Sequence, residues 1–245
     1  MPIPRKNIEA LKDRLAQQIE SDVNKFKRAI IRQVDFLARK NKIEKQVDVQ
    51  KLAYQITREL RIPVVIQNAL VKDIRATQSE IAEIWDFYFE KELKAGEQIT
   101  FSDADYEKLR AAYKIDFSSV EDKLNFSVEQ EFTKILRSDS SYSNLRSKLL
   151  KKDIGEFQAS TLANTAVAQF DNAYMIENAQ QAGIEKFIYD GTIIATTRDF
   201  CRERVGKIFT LAELENMDNG QGLPVIPSLG GYNCRHYLTP IIEKI

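Results

Sequence analysis

The chain has 245 residues, long enough for one large or two modest domains with a substantial core, and its 43% apolar and 29% charged residues describe a globular protein. No stretch approaches the roughly 18 to 20 consecutive apolar residues of a membrane span. The opening Met1-Pro2-Ile3-Pro4-Arg5-Lys6 lacks the apolar segment of a signal peptide, so the chain is expected in the cytoplasm where it is made, or in a particle built there. The zero net charge hides an asymmetry. Residues 1–76 hold 17 Lys and Arg against 9 Asp and Glu and the rest 19 against 27, so the two parts carry about +8 and −8.

Taken in order, the first element is a long helix. Ile8, Leu11, Leu15, Ile19, Val23, Phe26, Ile30, Val34 and Leu37 recur every three or four residues, covering 29 positions in eight steps, about 3.6 per step. That period belongs to a straight helix packed on a body rather than to a supercoil. Lys25, Lys27, Arg28, Arg32, Arg39 and Lys40 make this helix basic. They are either a solvated face or a phosphate-binding one. Asp48 is placed to cap a second helix through Leu52, Ile56 and Leu60, which Pro63 ends. A third is expected through Ile66, Ala69, Leu70 and Ile74. Thr77-x-x-Glu80 then has the form of a capping box opening a fourth, with Ile81, Ile84, Trp85, Tyr88 and Phe89 on one face and Gly96 as its stop.

Ser102-x-x-Asp105 and Ser127-x-x-Gln130 mark further helix starts, before Leu109, Ala112 and Tyr113 and before Phe132, Ile135 and Leu136. The Ser-rich run Ser138 to Ser147 reads as a boundary or hinge. These features give a helical domain over 1–150 and a second domain over 151–245. The second opens with a helix from about Ile154 to Ala182, with Phe157, Val167, Phe170, Tyr174 and Ala179 among its apolar positions and Gly183 as its C-cap. Short elements follow: a strand at Phe187 to Tyr189, a helix at Thr197 to Arg204 capped by Thr196 or Thr197, a loop around Asn219-Gly220 and Gly222-Leu223-Pro224, and a closing strand from Arg235 to Ile241. The fold class is mainly α: long N-terminal helices forming a helical body, then a long helix with a small α+β domain.

Both cysteines and the single histidine fall in this last part, as Cys201, Cys234 and His236. Four chemistries suit them. They supply three ligands of a tetrahedral zinc site, with Cys-x-His placing two on one side of a strand. The cysteines alone make a disulfide in an oxidising compartment. Cys234 and His236 have the makings of a nucleophile and base, although nothing in the sequence identifies an orienting group or oxyanion donors. Reduced, packed thiols are the fourth. Asp190, Asp199 and Glu203 offer carboxylates for a divalent ion but also serve as caps and surface charge. Arg198, Arg202, Arg204, Lys207 and Arg235 offer phosphate contacts interleaved with acids. Phosphate-loop, dinucleotide-binding and nucleophile-elbow motifs are missing.

The order of these motifs resembles the C-terminal domain of the phage Mu F-like head morphogenesis proteins, minor capsid proteins of tailed bacteriophages. It runs from Ser160-Thr161-Leu162-Ala163-Asn164-Thr165-Ala166 through Asp190, Thr197, Cys201, Gly206, Lys207 and Pro224 to Cys234-Arg235. The resemblance covers roughly residues 153–245. The chain departs from it at Arg198, where many members carry a second cysteine, at His236, where the closing Cys-Arg-Cys has its last cysteine, and at Gly230-Gly231-Tyr232, where a histidine is often found.

The resemblance implies a non-catalytic virion component inside the phage head, at the portal vertex. Its partners would be the portal protein, other capsid components and packaged double-stranded DNA, with no membrane. No cofactor is obligatory in that reading, and zinc is the ion that Cys201, Cys234 and His236 suit. A virion-carried metal-dependent nuclease or other effector enzyme, and a basic helical DNA-binding protein, are the alternative functions.

Overall fold

The computed structural model describes residues 4–40, 64–93, 142–151 and 156–242, together with isolated helical positions at 108, 109, 111, 130, 133 and 134. It is mainly helical, with long N-terminal helices and a small C-terminal sheet. The elements are α1 (Arg5–Lys40), α2 (Val64–Leu93), α3 (Tyr142–Lys151), α4 (Glu156–Gln181), β1 (Lys186–Asp190), α5 (Asp199–Arg202), β2 (Ile208–Thr210), α6 (Leu211–Glu215), α7 (Val225–Ser228) and β3 (Tyr237–Pro240). Two compact units form, neither of them a single run of sequence. One draws on Met1–Leu15, Ile74–Phe117 and Thr161–Ile245, the other on Ala16–Asp73 and Ser118–Ser160.

Helix α1 carries the stripe expected of it. Ile8, Leu11, Leu15, Ile19, Val23, Phe26, Ile30 and Val34 are all buried, because the 3.6-residue period keeps them on one face. In α2 the sequence expectation needs correcting. One uninterrupted helix replaces the third and fourth helices, and Thr77 is a buried mid-helix residue rather than an N-cap. No Gly or Pro interrupts Val64 to Leu93, and a Thr-x-x-Glu pair is equally an i,i+3 neighbour pair within a continuous helix. The aromatic residues after it are core: Trp85, Tyr88 and Phe89 are buried and meet edge-on or tilted, with ring centroids 5.4–5.8 Å apart.

The Ser-rich hinge is also corrected in part, since Tyr142 to Ser147 belong to α3. The helix expected after Asp48 lies outside the described residues. So do the starts at Ser102 and Ser127 and most of their apolar positions, apart from Leu109, which is buried.

Helix α4 is the centre of the first unit. From Leu162 to Ile176 every residue except Asn164 is buried, so the helix has no solvent face and correspondingly no amphipathic period. Its end is a Schellman turn: Gly183, at φ 75°, donates to the Gln180 carbonyl at 2.9 Å, and Ile184 donates to that of Ala179 at 2.8 Å.

The chain then forms a three-stranded antiparallel sheet in the order β2-β1-β3, with Phe187 opposite Phe209 and Tyr189 opposite Leu238. Period-2 alternation puts Phe187 and Tyr189 inward. The outer edge of β3 is closed by side chains. Leu238 donates its N–H to Asn172 Oδ1 at 3.4 Å, and its carbonyl accepts from Arg5 at 2.7 Å.

Candidate metal centre

Several polar residues of α4 reach the C-terminal cap. Asn164 donates to Asn233 Oδ1 at 2.7 Å, and the Asn233 N–H donates to Thr165 Oγ1 at 3.0 Å. Gln169 donates to Ser228 Oγ at 2.9 Å and Asn172 to the Pro227 carbonyl at 3.1 Å. These bonds fix the segment from Pro227 to Asn233 against the helix. The segment is strained: Leu229 and Asn233 adopt φ of 46° and 55°, and Gly231 lies at 91°. A backbone held in such sparsely populated regions is characteristic of functional sites.

Directly under this segment lie the two sulfurs. Cys201 comes from α5 and Cys234 from the approach to β3, and both are buried free thiols. Their Sγ atoms are 3.8 Å apart, and Cys234 Sγ is 3.6 Å from His236 Nδ1. All three ligand atoms lie within 4.8 Å of one another. Gly230 makes the arrangement possible, because a Cβ there would stand 2.2 Å from Cys201 Sγ and 3.1 Å from Cys234 Sγ. Gly191 does the same for the imidazole: a Cβ would approach His236 Cδ2 to 2.7 Å, and φ of 137° favours glycine in any case. The Tyr189 hydroxyl donates to Cys201 Sγ at 3.2 Å.

The electrostatics follow from this contact. The hydrogen bond with Cys201 draws the Cys234 thiol down to about 4, with His236 assisting and burial opposing. The same bond, together with burial, pushes the Cys201 thiol well above its ordinary range. Burial also pushes the Tyr189 hydroxyl far up, which keeps it a donor.

The geometry suits a tetrahedral ion. Zinc bonds of about 2.3 Å to sulfur and about 2.0–2.1 Å to nitrogen put two ligand sulfurs about 3.8 Å apart, and a sulfur and a nitrogen about 3.6 Å apart. Two edges of the triad already have those lengths. His236 turns Nδ1 toward the sulfurs, and its Nε2 is buried without a protein hydrogen-bond partner. A disulfide needs sulfurs about 2.05 Å apart and therefore a different arrangement of the pair.

Arg198 occupies the position where the resemblance has a further cysteine, and it ties down the same segment. It is the N-cap of α5, with extended backbone, and its guanidinium donates to the carbonyls of Gly230 at 3.0 Å and Tyr232 at 2.7 Å. The expected cap by Thr196 or Thr197 is thus corrected. Thr197 Oγ1 instead accepts from the Ile194 N–H at 2.8 Å, closing the turn before α5.

Asp190, Gly206 and Lys207, among the remaining motif residues, shape turns. Asp190 Oδ1 accepts from the Gly191 N–H at 2.7 Å. Gly206, at φ 82°, donates to the Tyr189 carbonyl, while the Tyr189 N–H donates to that of Lys207. Pro224 precedes α7, and the Arg235 side chain is exposed.

Among the described residues the Cys201, Cys234 and His236 group is the one cluster of three or more such ligands, so Asp190, Asp199 and Glu203 are not brought together. Arg202 donates to the carbonyls of Ile194 and Thr197, and Arg204 to that of Phe200, so both serve the fold. Of the basic residues of α1, Lys25 pairs with Asp22 at 2.5 Å and Lys27 is buried. Arg28, Arg32 and Arg39 are exposed, and the Lys40 side chain lies outside the described set. Tyr189, Gly191 and Gly230 belong to the site, although nothing in the sequence assigns any of them a ligand or catalytic role. The inward phase of the strand holding Tyr189 was the one available signal.

No described helix is long and apolar enough to cross a membrane. Comparison with models of protein families, with curated proteins and with solved structures finds no match.

Proposed function

We propose that this chain is a minor capsid protein of phage head morphogenesis, a non-catalytic virion component that docks at the portal vertex inside the head. The observation that carries the reading is the convergence of its motif residues. Those that carry the resemblance to the Mu F-like proteins are spread from Asp190 to Arg235, yet Cys201 and Cys234 meet at 3.8 Å, and Asp190, Thr197, Gly206 and Lys207 hold the turns around them. Arg198, at the most conspicuous departure, still fastens the segment that crosses the sulfurs. Residues committed in this way to closing a fold favour a rigid docking module over an exposed catalytic centre.

The cofactor in this reading is one zinc ion on Cys201, Cys234 and His236, with a structural role. Contacts with packaged DNA fall to the exposed members of the basic set on α1, Lys25, Arg28, Arg32 and Arg39, of which Lys25 also pairs with Asp22.

The test is capture of the purified full-length chain by the portal protein encoded beside it. The whole chain is required because each compact unit takes residues from both sides of position 150. Saturable binding near physiological salt supports the docking reading. Absence of binding at every salt concentration, with a folded protein, removes it and directs attention to the nuclease alternative.

A further inference from the structure

Three ligands leave a tetrahedral ion one corner short, and a tyrosine hydroxyl also reaches the sulfurs. Tyr189 is fully buried on β1. Its ring sits among Phe200, Phe209 and His236, with centroids 6.4, 6.5 and 5.8 Å away. The hydroxyl stands at the end of this packed ring, 3.2 Å from Cys201 Sγ, in hydrogen-bonding geometry.

We propose that Tyr189 is the positioning residue of the metal centre, its buried hydroxyl donating a hydrogen bond to the Cys201 thiolate when Cys201, Cys234 and His236 hold zinc. The inference rests on the zinc reading and specifies how the protein tunes that site. Two thiolates in a buried place concentrate negative charge on sulfur. A donor aimed at one of them spreads that charge, fixes the Cys201 rotamer and sets how strongly the sulfur binds the ion. Direct ligation by the phenolate oxygen is the less suitable geometry. With a zinc–oxygen bond of about 2.0 Å, sulfur and oxygen ligands would stand about 3.5 Å apart, wider than the contact observed. Sequence position supplies the rest: β1 points Tyr189 inward, and the pairing of Tyr189 with Leu238 sets β1 beside β3, the strand that follows His236.

The experiment loads chelator-treated full-length protein with cobalt(II) and zinc(II) and compares it with Tyr189→Phe, which keeps the ring. The wild type is expected to bind one ion per chain, with tetrahedral cobalt bands and a sulfur-to-cobalt charge-transfer band. The Phe variant should keep that stoichiometry, shift the charge-transfer band and bind zinc about 10- to 100-fold more weakly. A merely structural tyrosine would not move the band.

An unchanged band and affinity overturn the role of Tyr189 while leaving the zinc reading intact. A phenolate-to-cobalt band lost in the variant overturns it too, by making Tyr189 a direct ligand. No uptake of either ion by the wild type removes the zinc reading itself. Should Tyr189→Phe not fold, replacing tyrosine throughout with 3-fluorotyrosine strengthens the donor without removing it. The band should then move, and a stationary band overturns the proposal.

Discussion

Arg5 and Asp171 stand 166 residues apart in the chain and form an ion pair in which the carboxylate is buried and the guanidinium largely so. The same carboxylate accepts from Trp85 Nε1 at 2.7 Å. The guanidinium lies 4.1 Å from the Tyr237 ring centroid and 5.1 Å from that of Trp85, and also donates to the Leu238 carbonyl. One contact therefore joins the start of α1, the middle of α2, the core of α4 and the edge of β3. Arginine suits this place because its planar group can stack and donate at once.

Asp171→Ala strips this junction of its acceptor and leaves a buried guanidinium and an indole N–H without it. The expected loss of unfolding free energy is about 3–5 kcal/mol, read by denaturant titration. Asp171→Asn can still accept from Trp85 and should lose less. Equal losses for the two variants would show that the charge carries the junction and that a neutral acceptor contributes nothing.

Gly230 leaves no room for a Cβ beside the sulfurs. Gly230→Ala is expected to force the segment over the cysteines apart, at a cost of about 1–3 kcal/mol or more, and to abolish binding of stoichiometric zinc. Calorimetric unfolding together with metal analysis checks both. Retention of zinc with unchanged stability would mean that the crossing segment is not held as described.

Asn233 combines a left-handed backbone with a side-chain bond to Asn164. Asn233→Gly loses the bond but keeps the backbone at ease, while Asn233→Ala loses both. Stability is expected to fall in the order wild type, Gly variant, Ala variant, with about 1 kcal/mol between the last two. The reverse order of melting temperatures would contradict the account of this turn.

Asp86 accepts from the Tyr174 hydroxyl at 2.7 Å, yet burial raises its carboxyl above the ordinary value, against that bond and with Glu83 adding to the rise. A raised carboxyl favours the protonated fold, so its ionised form costs stability above the folded value. That cost is relieved as pH falls through the folded value towards the unfolded one near 3.8. Asp86→Asn keeps an acceptor for Tyr174 and removes the charge. It is therefore expected to be the more stable form at pH 7, with the difference shrinking toward pH 4 in parallel urea titrations. A gap that widens on acidification would reverse the sign.

Zinc removal provides a further check. A ligand that binds only the folded chain stabilises it by about 2.7 kcal/mol at a hundredfold excess over its dissociation constant. Adding a chelator should therefore lower the melting temperature of the wild type and leave Cys234→Ser unmoved. Identical responses would remove the zinc reading.

Periodic apolar residues made much of the fold legible. The α1 stripe, the inward phase of β1 and the Gly183 cap depend on neighbours three or four residues along, or two, so local pattern suffices to place them. The Thr77 cap misled for the same reason, because an i,i+3 pair looks alike at a helix start and inside a helix. α4 also lacked a period to read, since a helix buried on every side has no contrast between its faces.

The sequence by itself singled out Cys201, Cys234 and His236 as a candidate ligand trio, because the chain holds no other cysteine or histidine. It also determined the long amphipathic helix and the α-then-α+β order. Only the tertiary structure decided that the sulfurs meet beneath Gly230, that Tyr189 joins them, that Arg198 takes hold of the crossing segment, and that Arg5 belongs with Asp171. Each of these contacts joins residues from different elements. Their separation in space is set by how helices and strands pack, which no local spacing of residue types encodes.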